Sequence, residues 1–174
     1  MAARARDLGV TTPLDPVPGL VLGQAEVRLL ELTAAYAAVA NGGVWHAPTT
    51  IRQLTDGEAR GGGSRSTRPL SPGRRVIRED TARQMQELLR AVVHGGTGSA
   101  ASLGGDEGGK TGTTNDGRDL LFVGYEPQRQ WTVGIWLGND DNRATGSSSS
   151  LAAGLWSDII RSAGQGSLPR RSRL

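Results

Sequence analysis

Cysteine is absent from the chain, which excludes disulfide frameworks, thiolate nucleophiles and Cys-ligated zinc or iron–sulfur centres. Histidine is almost absent: His46 and His94 stand far apart and no H-E-x-x-H occurs, so no metal site is expected. Lysine is reduced to a single residue, Lys110, although Lys and Arg together number 20 against 17 acidic residues. Chemistry that needs an amine side chain therefore has one candidate. No segment approaches the run of about 18 apolar residues that a membrane helix needs, so no membrane span is expected. The first residues, Met1 to Gly9, lack the apolar stretch of a secretory signal. Aromatic residues are few, and Phe122, Tyr125, Trp131 and Trp136 fall in one expected hairpin. The net charge of +3 is spread over scattered arginines, densest in 60–75 and at Arg170, Arg171 and Arg173. No nucleic-acid partner is expected from that distribution.

What is abundant is glycine, 26 residues in 174, about twice average usage and without a collagen period. At this length one domain with one modest core is expected. Residues 1–25, punctuated by Pro13, Pro16, Pro18, Gly19 and Gly23, read as an extended or looping lead-in. Residues 26–41 read as a largely buried helix, stopped by Asn41-Gly42-Gly43, with Glu26 near its start. A short strand and turn fit 49–57, and a surface loop fits 58–73. A second helix fits 80–93, with Thr81 and Gln84 at capping-box spacing and Ala82, Met85, Leu89 and Val92 on one face. His94 then faces the helix C-terminus, where a cation answers the dipole.

Two strands follow, 119–125 and 131–138, joined by a hairpin loop at 126–130. Trp131, Val133, Ile135 and Leu137 alternate onto one face, while Gly134 and Gly138 on the other would admit a close backbone neighbour. Trp131, Trp136 and Trp156 read as core residues. Asp116 and Asp119 read as turn and strand-start residues, and Asp140-Asp141 as shaping the exit from the second strand. A last helix fits about 151–163, with Leu151, Leu155 and Ile159 stepping by four. The order of elements implies an α/β (α+β) arrangement with helices packed on an antiparallel sheet.

Gly104 to Thr111 formally fits G-x-x-x-x-G-K-[ST], the phosphate-binding loop. That reading needs a buried strand before the loop and a helix starting at Lys-Thr. Gly, Thr, Ser and Ala precede it, Gly112 to Gly117 oppose a helix, and Asp106 and Glu107 would repel polyphosphate. The competing reading places Lys110-Thr111-Gly112-Thr113-Thr114 on an edge strand facing a cleft.

Several segments support that second reading together. Leu22-Gly23-Gln24-Ala25-Glu26-Val27 leads into the Ala-rich helix and Ala40-Asn41-Gly42-Gly43. Val92-Val93 precedes Gly96-Thr97-Gly98, and Gly109-Lys110-Thr111-Gly112-Thr113-Thr114-Asn115-Asp116 follows. Phe122-Val123-Gly124-Tyr125-Glu126-Pro127 and Trp136-Leu137-Gly138-Asn139-Asp140-Asp141 complete the series. In this order the segments, over about residues 7–163, resemble the transpeptidase domain of penicillin-binding proteins of the bifunctional class A type.

The resemblance implies the serine β-lactamase/transpeptidase-like fold. It also implies a serine of an S-x-x-K motif that attacks a D-Ala-D-Ala stem peptide of peptidoglycan and passes the acyl group to a neighbouring amine. β-Lactams trap the same serine. No cofactor is implied. Carried over by motif, Lys110 is the cationic residue of the third motif and Thr113 contributes an oxyanion-hole N–H, the two catalytic candidates. Thr111, Gly112, Thr113 and Thr114 are the substrate-binding candidates. Gly108 stands where the family commonly has Ala, and Gly154 where it has Pro before the last helix.

The S-x-x-K motif itself is missing. Position 107, three before the only lysine, is Glu, and no Ser lies two residues before Asn41, Asn115, Asn139 or Asn142, so Ser-x-Asn is missing too. The expectation is therefore the C-terminal half of a transpeptidase domain over 1–163, with a basic tail at 164–174, whose N-terminal half is an absent partner. Without the S-x-x-K nucleophile this chain alone is expected to be inactive, and because in the family fold the 131–138 strand pairs with an N-terminal strand, it is expected to be poorly soluble or oligomeric. The complete protein is expected on the extracytoplasmic face of the bacterial membrane. A non-catalytic scaffold keeping half of the fold, or a fragment of a serine β-lactamase or D,D-carboxypeptidase, are the alternatives.

Overall fold

A computed structural model describes residues 1–50, 53–55, 67–69 and 72–165. Its centre is an antiparallel sheet in the order β5–β6–β7. These strands are β5 Gly108–Thr113, β6 Asp119–Glu126 and β7 Trp131–Gly138. The earlier elements are α1 Ala2–Asp7, a 3₁₀ turn Pro18–Leu22, α2 Leu29–Ala40, β1 Val44–Trp45, β2 Gln53–Thr55, β3 Thr67–Pro69, β4 Arg74–Arg75 and α3 Glu79–Gly95. Helix α4, Ser149–Gln165, closes the described chain. The expected packing of helices on an antiparallel sheet is the one observed.

The period-2 alternation of β6 sorts its side chains onto two cores. Leu120 and Phe122 join Ile135 of β7, Val93 of α3, Ala101, and Ala152, Ala153, Trp156 and Ile160 of α4. Tyr125 joins Val39 of α2 and Leu89 of α3. Phe122 and Trp156 meet edge to face, ring centroids 5.5 Å apart. Trp131, Val133 and Leu137 pack against the first core as the alternation implied. Over Gly134 the close neighbour is side chain rather than backbone: a Cβ there would lie 2.3 Å from Thr33 Oγ1. Gly138 lies beneath the ring of Trp136, 2.6 Å from where its Cβ would stand. Trp136 is 49% exposed, against its expected core placement.

The buried face of α3 is Ala82, Leu89 and Val93, whereas Met85 is exposed. Gln86 turns inward instead, because its amide donates to the carbonyls of Val39 (2.7 Å) and Ala40 (3.3 Å) at the C-terminus of α2. Arg78 is the N-cap of α3 and no side chain caps it, so the Thr81–Gln84 capping box does not form. Thr81 N–H instead donates to Asp80 Oδ1 at 2.7 Å. Residues 67–69, expected in a loop, form β3 and pair with β2. The remainder of the expected 49–57 turn and 58–73 loop lies, from 51 to 71, largely outside the described residues. Helix α4 starts at Ser149, so Gly154 sits inside it rather than at its start. Gly108 leaves no space for the Ala common in the family: a Cβ would stand 2.4 Å from the Tyr125 hydroxyl.

The lead-in, expected to be extended or looping, carries helix α1 and the 3₁₀ turn Pro18–Leu22. Val10 and Leu14 are buried. Glu31, in the first turn of α2, accepts Thr11 Oγ1 at 2.6 Å and Thr12 Oγ1 at 2.8 Å, and both of their backbone N–H groups. Those bonds, the Thr11 hydroxyl foremost, hold its carboxyl down at about 2 from an ordinary 4.5. A depressed carboxyl stabilises the fold above its unfolded value and loses that contribution as pH falls from 4.5 towards 2. Glu31→Gln is expected to remove this acid-limb dependence and to speed proteolysis of residues 1–14 at neutral pH. Urea melts across pH 2–5, with mass-mapped digestion, check both.

Candidate active site

Lys110 and Thr111 lie in β5, not at a helix start, so the phosphate-loop reading is excluded by the local structure. The Gly-rich stretch before β5 has a different use. Glu107 is 1% exposed, and its carboxylate accepts the N–H groups of Leu103 (2.7 Å), Gly104 (3.1 Å) and Gly105 (3.0 Å). Burial pushes this carboxyl up, but the ring of backbone donors prevails and holds it below the ordinary value. The negative charge that would repel a phosphate thus ties down the loop that leads into β5.

β5 is an edge of the three-stranded sheet, paired through Lys110–Val123, Thr111–Phe122, Gly112–Leu121 and Thr113–Leu120. Its other side faces no described strand. Lys110 and Thr113 are exposed, and Thr111 and Gly112 are half-buried. Lys110 Nζ donates to Thr111 O at 2.9 Å and approaches Thr111 Oγ1 at 3.4 Å. Thr111 Oγ1 also meets Thr97 Oγ1 at 2.7 Å. The structure therefore brings one ammonium and two hydroxyls to one place on an exposed sheet edge. A Cβ at Gly112 would stand 3.3 Å from Leu121 Cβ, so glycine keeps this rung narrow.

Thr97 belongs to Gly96-Thr97-Gly98, which leaves α3 and runs to a 3₁₀ turn at Ser99–Ala101. Gly98 is required there, since its Cβ would press on Phe122 and Val92 at 3.2 Å. Helix α4 holds the same segment through Ser157 Oγ to Ala100 O (3.2 Å) and Arg161 Nη2 to Ser102 O (2.8 Å). Sequence reasoning quoted Gly-Thr-Gly for the resemblance without giving Thr97 a role. Its hydroxyl between two glycines, upstream of Lys-Thr-Gly, was the available signal.

Thr114 is placed differently from its neighbours. Its hydroxyl donates to Asp119 Oδ2 at 2.9 Å and accepts Asp119 N–H at 2.8 Å. Asp116 adopts a left-handed φ of 62° in the turn, and Asp119 opens β6. Among the described residues, no group of acidic or histidine side chains could hold a metal. A cleft of about 260 Å³ opens at the opposite end of β5, lined by Glu107, Glu126, Arg129 and Arg161. Glu126 is consumed there by Gln128 N, Arg129 N and Arg129 Nη1, so the cleft offers no spare acid for the chemistry at Lys110.

Comparison with known proteins places this edge in a family. The family model described as the penicillin binding protein transpeptidase domain matches residues 21–160. Penicillin-binding protein 1A of Aquifex aeolicus is 36% identical over 152 residues, 85% of this chain and 20% of that protein. The chain thus spans about a fifth of the length of the curated relatives it matches. Penicillin-binding protein 1A of Haemophilus influenzae superposes with a TM-score of 0.71 at 21% identity, over 97% of this chain and 31% of that one. The D,D-transpeptidase domain of a peptidoglycan glycosyltransferase from Eggerthella lenta gives 0.58 at 27% identity, over 91% and 37%. The edge strand carrying Lys110, the hydroxyl pair beside it and the match across 21–160 agree: this chain belongs to the penicillin-binding protein transpeptidase domain family.

Proposed function

We propose that the chain forms the Lys-Thr-Gly side of a peptidoglycan D,D-transpeptidase site, with the acyl-accepting serine supplied by residues outside it. The observation that supports this reading is the exposed edge of β5, where Lys110 and the Thr97–Thr111 hydroxyl pair converge. In this reading Lys110 attracts the terminal carboxylate of a D-Ala-D-Ala stem peptide and supports proton transfer. The Thr111 and Thr113 hydroxyls donate to that carboxylate. The peptide lies along β5 as an added strand, which the bare Gly112 permits. The Thr113 N–H is one of two oxyanion donors, a kind of group whose loss costs about 3 kcal/mol of barrier. β-Lactams would enter by the same edge. The reaction belongs to the extracytoplasmic face of the bacterial membrane, where the stem peptides are.

A titration of the ¹⁵N-labelled chain with a diacetylated L-Lys-D-Ala-D-Ala tripeptide tests the binding half of this reading. The expected result is resonance shifts at Lys110 to Thr113 and at Thr97, weakened about tenfold by Lys110→Ala, a loss of about 1.4 kcal/mol. Shifts elsewhere only, or none at millimolar peptide, would contradict it. Absence of Ser-x-x-Lys and Ser-x-Asn from the sequence favours one second reading, a binding scaffold without catalysis. That scaffold would bind the tripeptide and remain inert when completed with a serine-bearing partner segment.

A further inference from the structure

We propose that Asp119 is a positioning residue for the site on β5, held by Trp136 and acting through Thr114 on Thr113. The inference rests on the reading of β5 given above. β5 ends at Thr113 and the chain returns to the sheet at Asp119. Between them Thr114 is tied to Asp119 three times: hydroxyl to Oδ2 at 2.9 Å, N–H to the Asp119 carbonyl at 3.1 Å, and hydroxyl accepting the Asp119 N–H at 2.8 Å. The other carboxylate oxygen accepts Trp136 Nε1 from β7 at 3.0 Å. Each oxygen therefore holds one neighbour, which makes Asp119 a clamp between Thr114 and Trp136.

The surroundings explain why so exposed a turn holds one geometry. Trp136 lies over Gly138, directly opposite Asp119 in the β6–β7 register, so its indole N–H reaches the carboxylate across the sheet. An indole that packs no core here has a polar task. On the far side, Thr145 donates its N–H (3.0 Å) and hydroxyl (2.6 Å) to Gly117 O. The turn is thus gripped at both ends, and the rung after it is Thr113–Leu120. The Thr114 N–H turns towards β6, so the Thr113 N–H, one residue earlier on the strand, turns to the open edge, and only the φ and ψ of Thr113 separate it from the clamped Thr114. Pre-set donors are what an oxyanion site needs.

The test uses the ¹⁵N-labelled 174-residue chain. Asp119→Asn keeps one acceptor oxygen and sets an NH₂ against the other donor. We expect it to shift the Trp136 indole resonance, to raise exchange of the Thr114 amide, which donates to the Asp119 carbonyl, at least tenfold, and to weaken the diacetylated tripeptide about tenfold. The Trp156 indole and core amides stay unchanged. Thr114→Val should reproduce the faster exchange at position 114 and the weaker tripeptide binding, and Thr114→Ser, which restores the hydroxyl, should reverse them. Those two variants decide the matter if Asp119→Asn fails to fold. Unchanged exchange at position 114 and unchanged tripeptide affinity in Asp119→Asn or Thr114→Val would overturn the proposal. Failure of the unmodified chain to bind the tripeptide would instead overturn the reading of β5, with exchange at position 114 still reporting on the clamp.

Discussion

Incubated with a fluorescent penicillin, the purified chain is expected to show no covalently labelled band on a denaturing gel. A β-lactam acylates a serine made nucleophilic by an adjacent base, and the site must hold both within hydrogen-bond reach. The only lysine here is Lys110, and the residue three before it is Glu107, buried and engaged with three backbone N–H groups. The oxygen nucleophiles near Lys110 are Thr111 and Thr97, bonded to one another. Neither has a carboxylate or imidazole bonded to it among the described residues, and Lys110 Nζ is turned to the Thr111 carbonyl at 2.9 Å. An oxyanion donor without its nucleophile stabilises nothing that forms. A labelled band that survives denaturation and disappears on competition with unlabelled penicillin would refute this.

The largest effect on stability is expected at Trp156. This side chain is fully buried, lies edge to face with Phe122, and sits beneath Gly124, whose Cβ would be 3.1 Å from its ring. It joins α4 to β6 at the centre of the main core. Truncation to Ala should cost about 3–5 kcal/mol, a large share of the roughly 5–15 kcal/mol available to a domain. Trp156 Nε1 is buried without a partner among the described residues. An unmet donor costs about 1–3 kcal/mol, so Trp156→Phe sheds that penalty while it loses ring volume. Its net change should stay within about 2 kcal/mol. Urea denaturation reads both through the midpoint, with the slope unchanged if the unfolded state is unaltered. Equal losses for Ala and Phe would show that the indole nitrogen is satisfied in solution.

The parts of this fold that were readable in sequence are those where hydrophobic pattern and burial coincide. β7 at 131–138 follows from alternation, because one face of it enters the core, and β6, expected over 119–125 and found over 119–126, is an apolar run buried on both faces. The pattern failed where a polar side chain does internal work. Gln86, not Met85, faces inward on α3 because two carbonyls at the end of α2 need a donor. Glu107 reads as a surface acid in a glycine run, yet the bare N–H groups of that run are what draw it inside. The ordered lead-in was invisible because tertiary contacts made it, Thr11 and Thr12 on Glu31 and Gly9 beneath Trp45. At the site, the motif located Lys110, Thr111, Gly112 and Thr113 on an edge strand. It could not show that Thr97 joins Thr111, or that Asp119 and Trp136 hold Thr114, since those bonds cross the sheet between segments far apart in sequence.

The β7 edge, like β5, faces no described strand, and β7 carries neither a charged residue nor a proline to blunt it. Leu151, Leu155 and Ile159 expose an apolar stripe along α4. Both features fit a chain that is completed by further polypeptide, and they set the form of the decisive test. Residues 21–160 replace the matching segment within Aquifex aeolicus penicillin-binding protein 1A, and the chimera is treated with fluorescent penicillin. The account predicts covalent labelling of the chimera, reduced at least a hundredfold in rate by Lys110→Ala. A folded chimera that takes no label, or one that Lys110→Ala labels just as fast, would contradict the assignment of β5 as the Lys-Thr-Gly side of a transpeptidase site.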